Sequence, residues 1–354
     1  MGSQATEGQT RQNLGGIVVR AARRDPLRAR ARALPGKGKL AWVSPAVSML
    51  HSRGGCASRR RGSFCLRMTD DFSDAALVLA GHGSTLNAES AAPTWQHADE
   101  LRRRGLFAQV QECFWKQEPY LAQVMRGIFA ARVFVVPLFI SDGYFTEEVL
   151  PRELGFCPPG ETDFPRAQRR GDQKFFYGRP VGTHPRMTEV LLARAGEVVE
   201  KFPFPRPPRP EETTLFIAGH GTGSNENSRK AIERQVELIR ARNLFAQVHA
   251  VFMEEEPRIG DCYKLAQTRN LVVAPFFISD GLHSYEDIPV MLGAPKSVVR
   301  ERLKLGRPTW RNPTEHEGKR VWYAASVGRE PLMADVILER VREAANEPGL
   351  SLLP

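Results

Sequence analysis

Sliding the chain against itself by 138 residues brings the same words into register. Ala80-Gly81-His82-Gly83 falls on Ala218-Gly219-His220-Gly221, and Leu106-Phe107-Ala108-Gln109-Val110 recurs unchanged as Leu244-Phe245-Ala246-Gln247-Val248. Glu118-Pro119 matches Glu256-Pro257, Phe139-Ile140-Ser141-Asp142-Gly143 matches Phe277-Ile278-Ser279-Asp280-Gly281, and Pro151 matches Pro289. The offset holds without interruption from 77 to 151. Such a chain has to fold as two like units carrying the same elements in the same order. Past Pro151 the register drifts, yet Val181-Gly182-Thr183-His184-Pro185 echoes Val327-Gly328-Arg329-Glu330-Pro331 at an offset of 146.

Between the units, five prolines occupy the eight positions from Pro203 to Pro210, which favours an extended, stiff connector. The sequence divides into a basic extension over 1–67, a first repeat over 75–202, the connector over 203–212 and a second repeat over 213–346. The extension has 14 Lys and Arg against two acids, Glu7 and Asp25, and sustains no helix or strand period, so it reads as disordered. It is either an Arg-rich transit segment or a stretch upstream of a true start at Met68. The net charge of +10 belongs wholly to this extension, so it is no sign of a nucleic-acid partner. No run approaches the ~18 apolar residues of a membrane span. The five cysteines are scattered without a CxxC pair, which argues against an iron–sulfur cluster, a zinc ribbon or a disulfide framework and fits a reducing cytoplasm. Two repeats fused in one chain remove the need for a dimer.

Within the second repeat, 214–218 is a short apolar run ending at Gly219-His220-Gly221. Ile232, Val236 and Ile239 then follow at i, i+4 and i+7, one face of a helix. That helix should stop at Asn243, where the first repeat has Gly105; these two residue types best tolerate the left-handed backbone that closes a helix. Val248, Ala250 and Phe252 alternate as a strand. A helix around 259–267 leads into 271–278, an apolar run typical of a strand covered on both faces. The segment 157–174 is polar with Pro and Gly and reads as a surface loop. The pattern predicts an α/β fold of two duplicated, doubly wound parallel sheets.

Open parallel sheets bind ligands beyond the carboxyl ends of their strands. His220, Glu254 and His283 follow three successive strands of the second repeat and are expected to converge there as catalytic and metal-binding side chains. Glu254 is preferred within the Glu254-Glu255-Glu256 run because it stands two after Phe252, whereas Glu256, followed by Pro in both repeats, is expected to start a helix. The first repeat keeps His82 but has Lys116 in place of Glu254 and Phe145 in place of His283, as a duplicated enzyme with one surviving site would. Two imidazoles and a carboxylate suit Co²⁺, Fe²⁺ or Ni²⁺.

Gly219-His220-Gly221-Thr222, then Phe252-Met253-Glu254, then Pro275-Phe276-Phe277, then Gly281-Leu282-His283-Ser284-Tyr285-Glu286-Asp287-Ile288-Pro289 resembles the pattern of the sirohydrochlorin chelatases of the CbiX/SirB type. The resemblance covers both repeats and leaves out the extension. It implies a chelatase fold, two similar domains facing each other across a cleft that holds the macrocycle. It also implies ATP-independent insertion of Co²⁺ or Fe²⁺ into sirohydrochlorin, with no nucleotide cofactor. By matching positions, His220 and His283 handle the metal and accept protons, with Glu254 assisting; Lys116 and Phe145 depart from the pattern. The chemistry agrees, since insertion strips water from a metal and two protons from pyrrole nitrogens. Neutral imidazole, with its ordinary pKa of ~6.5, serves both tasks. Two rival readings are a histidine phosphatase, which would need an arginine where Gly81 and Gly219 stand, and a tetrapyrrole or metal carrier without turnover. A chain beginning at Met68 is expected to keep its fold and activity, and loss of soluble expression on that truncation would overturn the reading of the extension.

Overall fold

The computed structural model describes residues 71–352 apart from 86, 159, 162, 222–225 and 348–350. The basic extension, Met68 and Thr222 lie outside the described residues. In the first repeat the strands are β1 (Phe72–Gly81), β2 (Phe107–Phe114), β3 (Arg132–Pro137), β4 (Ala167–Arg170) and β5 (Gln173–Tyr177). In the second they are β6 (Thr213–Gly219), β7 (Gln247–Phe252), β8 (Asn270–Pro275), β9 (Thr314–His316) and β10 (Lys319–Tyr323), with a short β11 (Ser351–Leu352) at the end. One sheet runs β11-β4-β5-β3-β1-β2 and the other β7-β6-β8-β10-β9. The central strands are parallel, as the pattern requires. No described helix is long and apolar enough to cross a membrane.

Successive side chains of a strand point to opposite faces, and the core follows that period. Leu77, Leu79, Phe134 and Val136 join Leu215, Ile217, Val272 and Ala274 in one apolar cluster shared by the two repeats. The alternate residues, Val78 and Val135 in one sheet and Phe216 and Val273 in the other, fill separate clusters on the opposite faces. Gly105 closes the Ala92–Arg104 helix at φ 63°, and Asn243 takes φ 51° just beyond the Glu226–Arg240 helix, as expected for these positions.

The segment 157–174 is not simply a loop. It holds β4, antiparallel to β5, and β9 repeats the arrangement beside β10. The polar pattern concealed this strand because its side chains are buried through polar contacts. Gln168 is fully buried and its amide donates to the carbonyls of Phe156 and Pro165 at 2.6 and 3.0 Å. The Arg170 guanidinium lies over the rings of Phe156 and Phe175.

Packing also crosses the boundary that the sequence suggests at 202. The Met187–Lys201 helix belongs to the first repeat but packs on β8 and β10, while the Met333–Ala345 helix packs on β3 and β5. These helices begin 146 residues apart, and the contacts that seat them correspond at the same offset. Buried Arg194 donates from Nε to the Ser326 carbonyl at 3.0 Å, and buried Arg340 donates to the Pro180 carbonyl at 3.1 Å. Glu189 pairs with Arg242 at 2.6 Å and Asp335 with Arg104 at 2.5 Å. The exchange of helices is therefore reciprocal.

His97 sits in this shared interior, buried, with Nε2–H donating to the Gly328 carbonyl at 2.6 Å. Burial holds its pKa below the ordinary histidine value, and burial, followed by the Arg340 charge, does the same for His184. A depressed folded-state pKa means that the stabilisation is complete above the unfolded value of ~6.5 and is lost as the pH falls below it. Thermal midpoints should drop between pH 7 and pH 5. The slope should be shallower in His97→Gln, since a buried Gln235 occupies the equivalent place in the second repeat and donates to the His184 carbonyl at 3.1 Å. An unchanged slope in that variant would remove His97 from the account.

Candidate functional site

His220 leaves the end of β6 between two glycines that the packing requires. A Cβ on Gly219 would stand 2.0 Å from Ile232 Cδ1, and Gly221 has φ 63° with Glu255 and Phe252 pressed against it. The next loop is sewn to this turn, for the Met253 N–H donates to the Gly219 carbonyl at 3.0 Å and the Glu254 N–H to the His220 carbonyl at 3.1 Å. Glu254 Oε1 thereby lies 3.7 Å from His220 Nε2. The third element is a single turn of π-helix, His283–Asp287, beyond β8. Such turns are rare and recur at functional sites. It sets the His283 ring 5.2 Å from the His220 ring, at 87° to it.

His220, Glu254 and His283, separated by 34 and 29 positions in sequence, are thus neighbours. They do not close into a cage: among the described residues no group of three or more His, Cys, Asp or Glu is gathered as a metal-holding set. A fourth side chain, which the sequence reading passed over, completes the arrangement. Asp287 Oδ2 lies 2.8 Å from His283 Nδ1 and accepts its proton in a hydrogen bond, which leaves Nε2 as the free ring nitrogen. A carboxylate behind an imidazole fixes its tautomer and makes it a better ligand or base. Its spacing from His283, four residues on, was the available signal. Tyr285 is no candidate base, since burial, with the Asp280 charge adding, pushes its hydroxyl up to about 12. Glu256 does not begin a helix directly; it pairs with Arg258 on the surface, and the next helical turn starts at Ile259.

The imidazoles open onto a cleft of about 570 Å³ whose other wall is the first repeat. His82 lines it too, with Tyr144 and Phe145 at the start of a second π-helical turn, Phe145–Val149. There the positions equivalent to Glu254 and His283 belong to an aromatic cluster. The Phe145 ring stands 4.9 Å from His82 and 5.0 Å from Trp115, and the Lys116 ammonium lies over Trp115 at 4.6 Å. Val149 stands where the second repeat has Asp287, so the histidine and its orienting carboxylate are missing together.

The sequence pattern of the CbiX family matches residues 76–198 and 214–344. The chain belongs to the CbiX family. It is 42% identical over 284 residues to a Halobacterium salinarum protein named "Probable sirohydrochlorin cobaltochelatase", covering 77% of this chain and 93% of that protein. A Methanopyrus kandleri protein named sirohydrochlorin cobaltochelatase is 28% identical over 141 residues, 38% of this chain and 97% of its own length. That relative has the length of one repeat. A multi-domain Deinococcus radiodurans protein described as similar to chelatases superposes with a TM-score of 0.62 at 31% identity, over 77% of this chain and 56% of that one. SirB from Bacillus subtilis, solved with Fe³⁺, shares the fold with a TM-score of 0.54 at 17% identity, over 77% and 96%.

Replacing Asp287 with Asn keeps the shape and removes the charge behind His283. Anaerobic titration should show Co²⁺ affinity falling about 10–100-fold, with the thermal midpoint nearly unmoved. Full affinity in that variant would strip Asp287 of its orienting role.

Proposed function

We propose that this CbiX-family chain is a chelatase that inserts a divalent metal, Co²⁺ or Fe²⁺, into sirohydrochlorin without ATP, on the way to cobalamin or sirohaem in the cytoplasm. The observation that carries this reading is the pair of perpendicular imidazoles at two strand ends, each attended by a carboxylate, in a cleft whose opposite wall is aromatic. The names of the Halobacterium and Methanopyrus relatives agree with it.

In this reading the metal is a substrate, taken up by His220 and His283 and steadied by Glu254. An open set of ligands suits an ion that must be handed on. As the ion passes to the ring, two pyrrole protons leave, and neutral imidazole accepts them. The Asp287 carboxylate stabilises the imidazolium that forms on His283, and Glu254, more than half exposed, offers a route to solvent. Tyr144 and Phe145 supply an apolar face against which a flat macrocycle can lie.

An anaerobic absorbance assay with sirohydrochlorin and Co²⁺, Fe²⁺ or Ni²⁺ tests this directly. His220→Ala and His283→Ala should each abolish insertion, while His82→Ala should leave most of it. Equal loss from His82→Ala would mean that the reaction uses imidazoles from both repeats. Stoichiometric binding without multiple turnovers would make the protein a carrier.

A further inference from the structure

The change of offset from 138 to 146 has a physical body in the Lys296–Lys304 helix and the loop after it, which have no equivalent helix among the described residues between Leu154 and Ala167. One side of this helix packs on the π-helical turn that carries His283, where Arg300 Nε donates to Glu286 Oε1 at 2.8 Å. Its other side, together with the exchanged Met187–Lys201 helix, walls a cavity of about 750 Å³. That is larger than the cleft and separate from it, and well inside the range of small-molecule sites.

The lining of this cavity is of two kinds. Phe202, Val298, Leu305 and Trp310 make an apolar bed, in which Val298 and Leu305 are 42% and 57% exposed. Around it stand Lys201, Arg302, Arg307 and Arg311. Of the two acids in the wall, Glu197 is taken by Arg194 at 2.6 Å, leaving Glu301. Among the described residues, the guanidinium groups of Arg307 and Arg311 have no carboxylate or carbonyl partner. Guanidinium groups left free over an apolar bed match carboxylates carried on an apolar body.

Behind Trp310 and Tyr323 this space adjoins a smaller pocket whose lining includes Asp280, Ser284 and Ser326. The hydroxyls of Ser284 and Ser326 are buried there with no protein partner. The two spaces together run from the surface to the back of the turn that carries His283.

We propose that this rear cavity is a second binding site, and that it takes a polycarboxylate with a large apolar body. The macrocycle assigned to the cleft has that chemistry, so, resting on that reading, the occupant is a second molecule of the same class. Uroporphyrin III, a flat ring with eight carboxylates, is the probe. Equilibrium dialysis should find two molecules per wild-type chain and one in R307E/R311E, with quenching of Trp310 fluorescence lost in the same variant. R307Q/R311Q, which keeps side-chain bulk without reversing charge, should weaken the rear site at least tenfold. Tyr144→Asp, in the cleft wall, should remove the other molecule and leave the rear one. One molecule per wild-type chain, indifferent to the arginine substitutions but lost in Tyr144→Asp, would overturn the second site and leave the proposed function standing. No binding at all would overturn both. Displacement from the rear site by citrate at the same concentration would overturn the need for an apolar body.

Discussion

The carbonyl oxygen of Ile278 lies 1.5 Å from where a Cβ on Gly328 would be, and that of Ile140 lies 2.1 Å from the same point on Gly182. At these two places the loop that leaves the third strand of each repeat is pressed against the chain about to enter the exchanged helix. No side chain fits, so glycine is fixed at both, and the two loops are held at a backbone-to-backbone distance. From those loops the chain runs on to the two π-helical turns, one with His283 and the other with Phe145. The buried arginines add to the same constraint by binding carbonyls just upstream of each glycine. Both walls of the cleft thus depend on how the two helices are seated, several residues away from any reacting group.

The two walls have separated in chemistry while keeping one backbone. Where the second repeat places a carboxylate, an imidazole and a second carboxylate, the first has Lys116, Phe145 and Val149. These are not scattered losses. An unpaired buried carboxylate would be costly beside an aromatic ring, so loss of the His283 equivalent removes the reason for the Asp287 equivalent. What results is packed, with Phe145 edge-on to both His82 and Trp115. In the proposed reaction, a metal met by imidazoles on one side and rings on the other would have one direction in which to be handed over.

Much of this was legible in the sequence because the repeat supplied its own alignment. Central strands announced themselves by apolar runs, and Gly105 and Asn243 by their place after a helical stripe. His220, Glu254 and His283 were singled out from their positions after successive strands, and the fold brings the three side chains together. Other features left weaker marks. Strand β4 is short and polar, and its burial rests on Gln168 amide bonds and on Arg170 lying over rings, which no hydrophobic period reports. The exchange of helices is invisible to periodicity, since a helix has the same apolar stripe whichever sheet it covers. Asp287 stood in the quoted motif four residues after His283, but spacing alone does not say that its carboxylate reaches Nδ1 of that ring.

The Pro-rich connector between the repeats can be seen differently once the helices are known to be exchanged. In a protein of two self-contained domains, such a segment would be all that kept the halves in company. Here each half already holds a helix that completes the other, sealed by buried arginines and by ion pairs on both sides. A single proteolytic cut in the exposed stretch around Phe204 would therefore give two fragments that still migrate as one particle. A single repeat could achieve the same architecture by trading its last helix with a twin. The covalent joint would then be a device for letting the twins differ, with mutual grip already supplied by the fold.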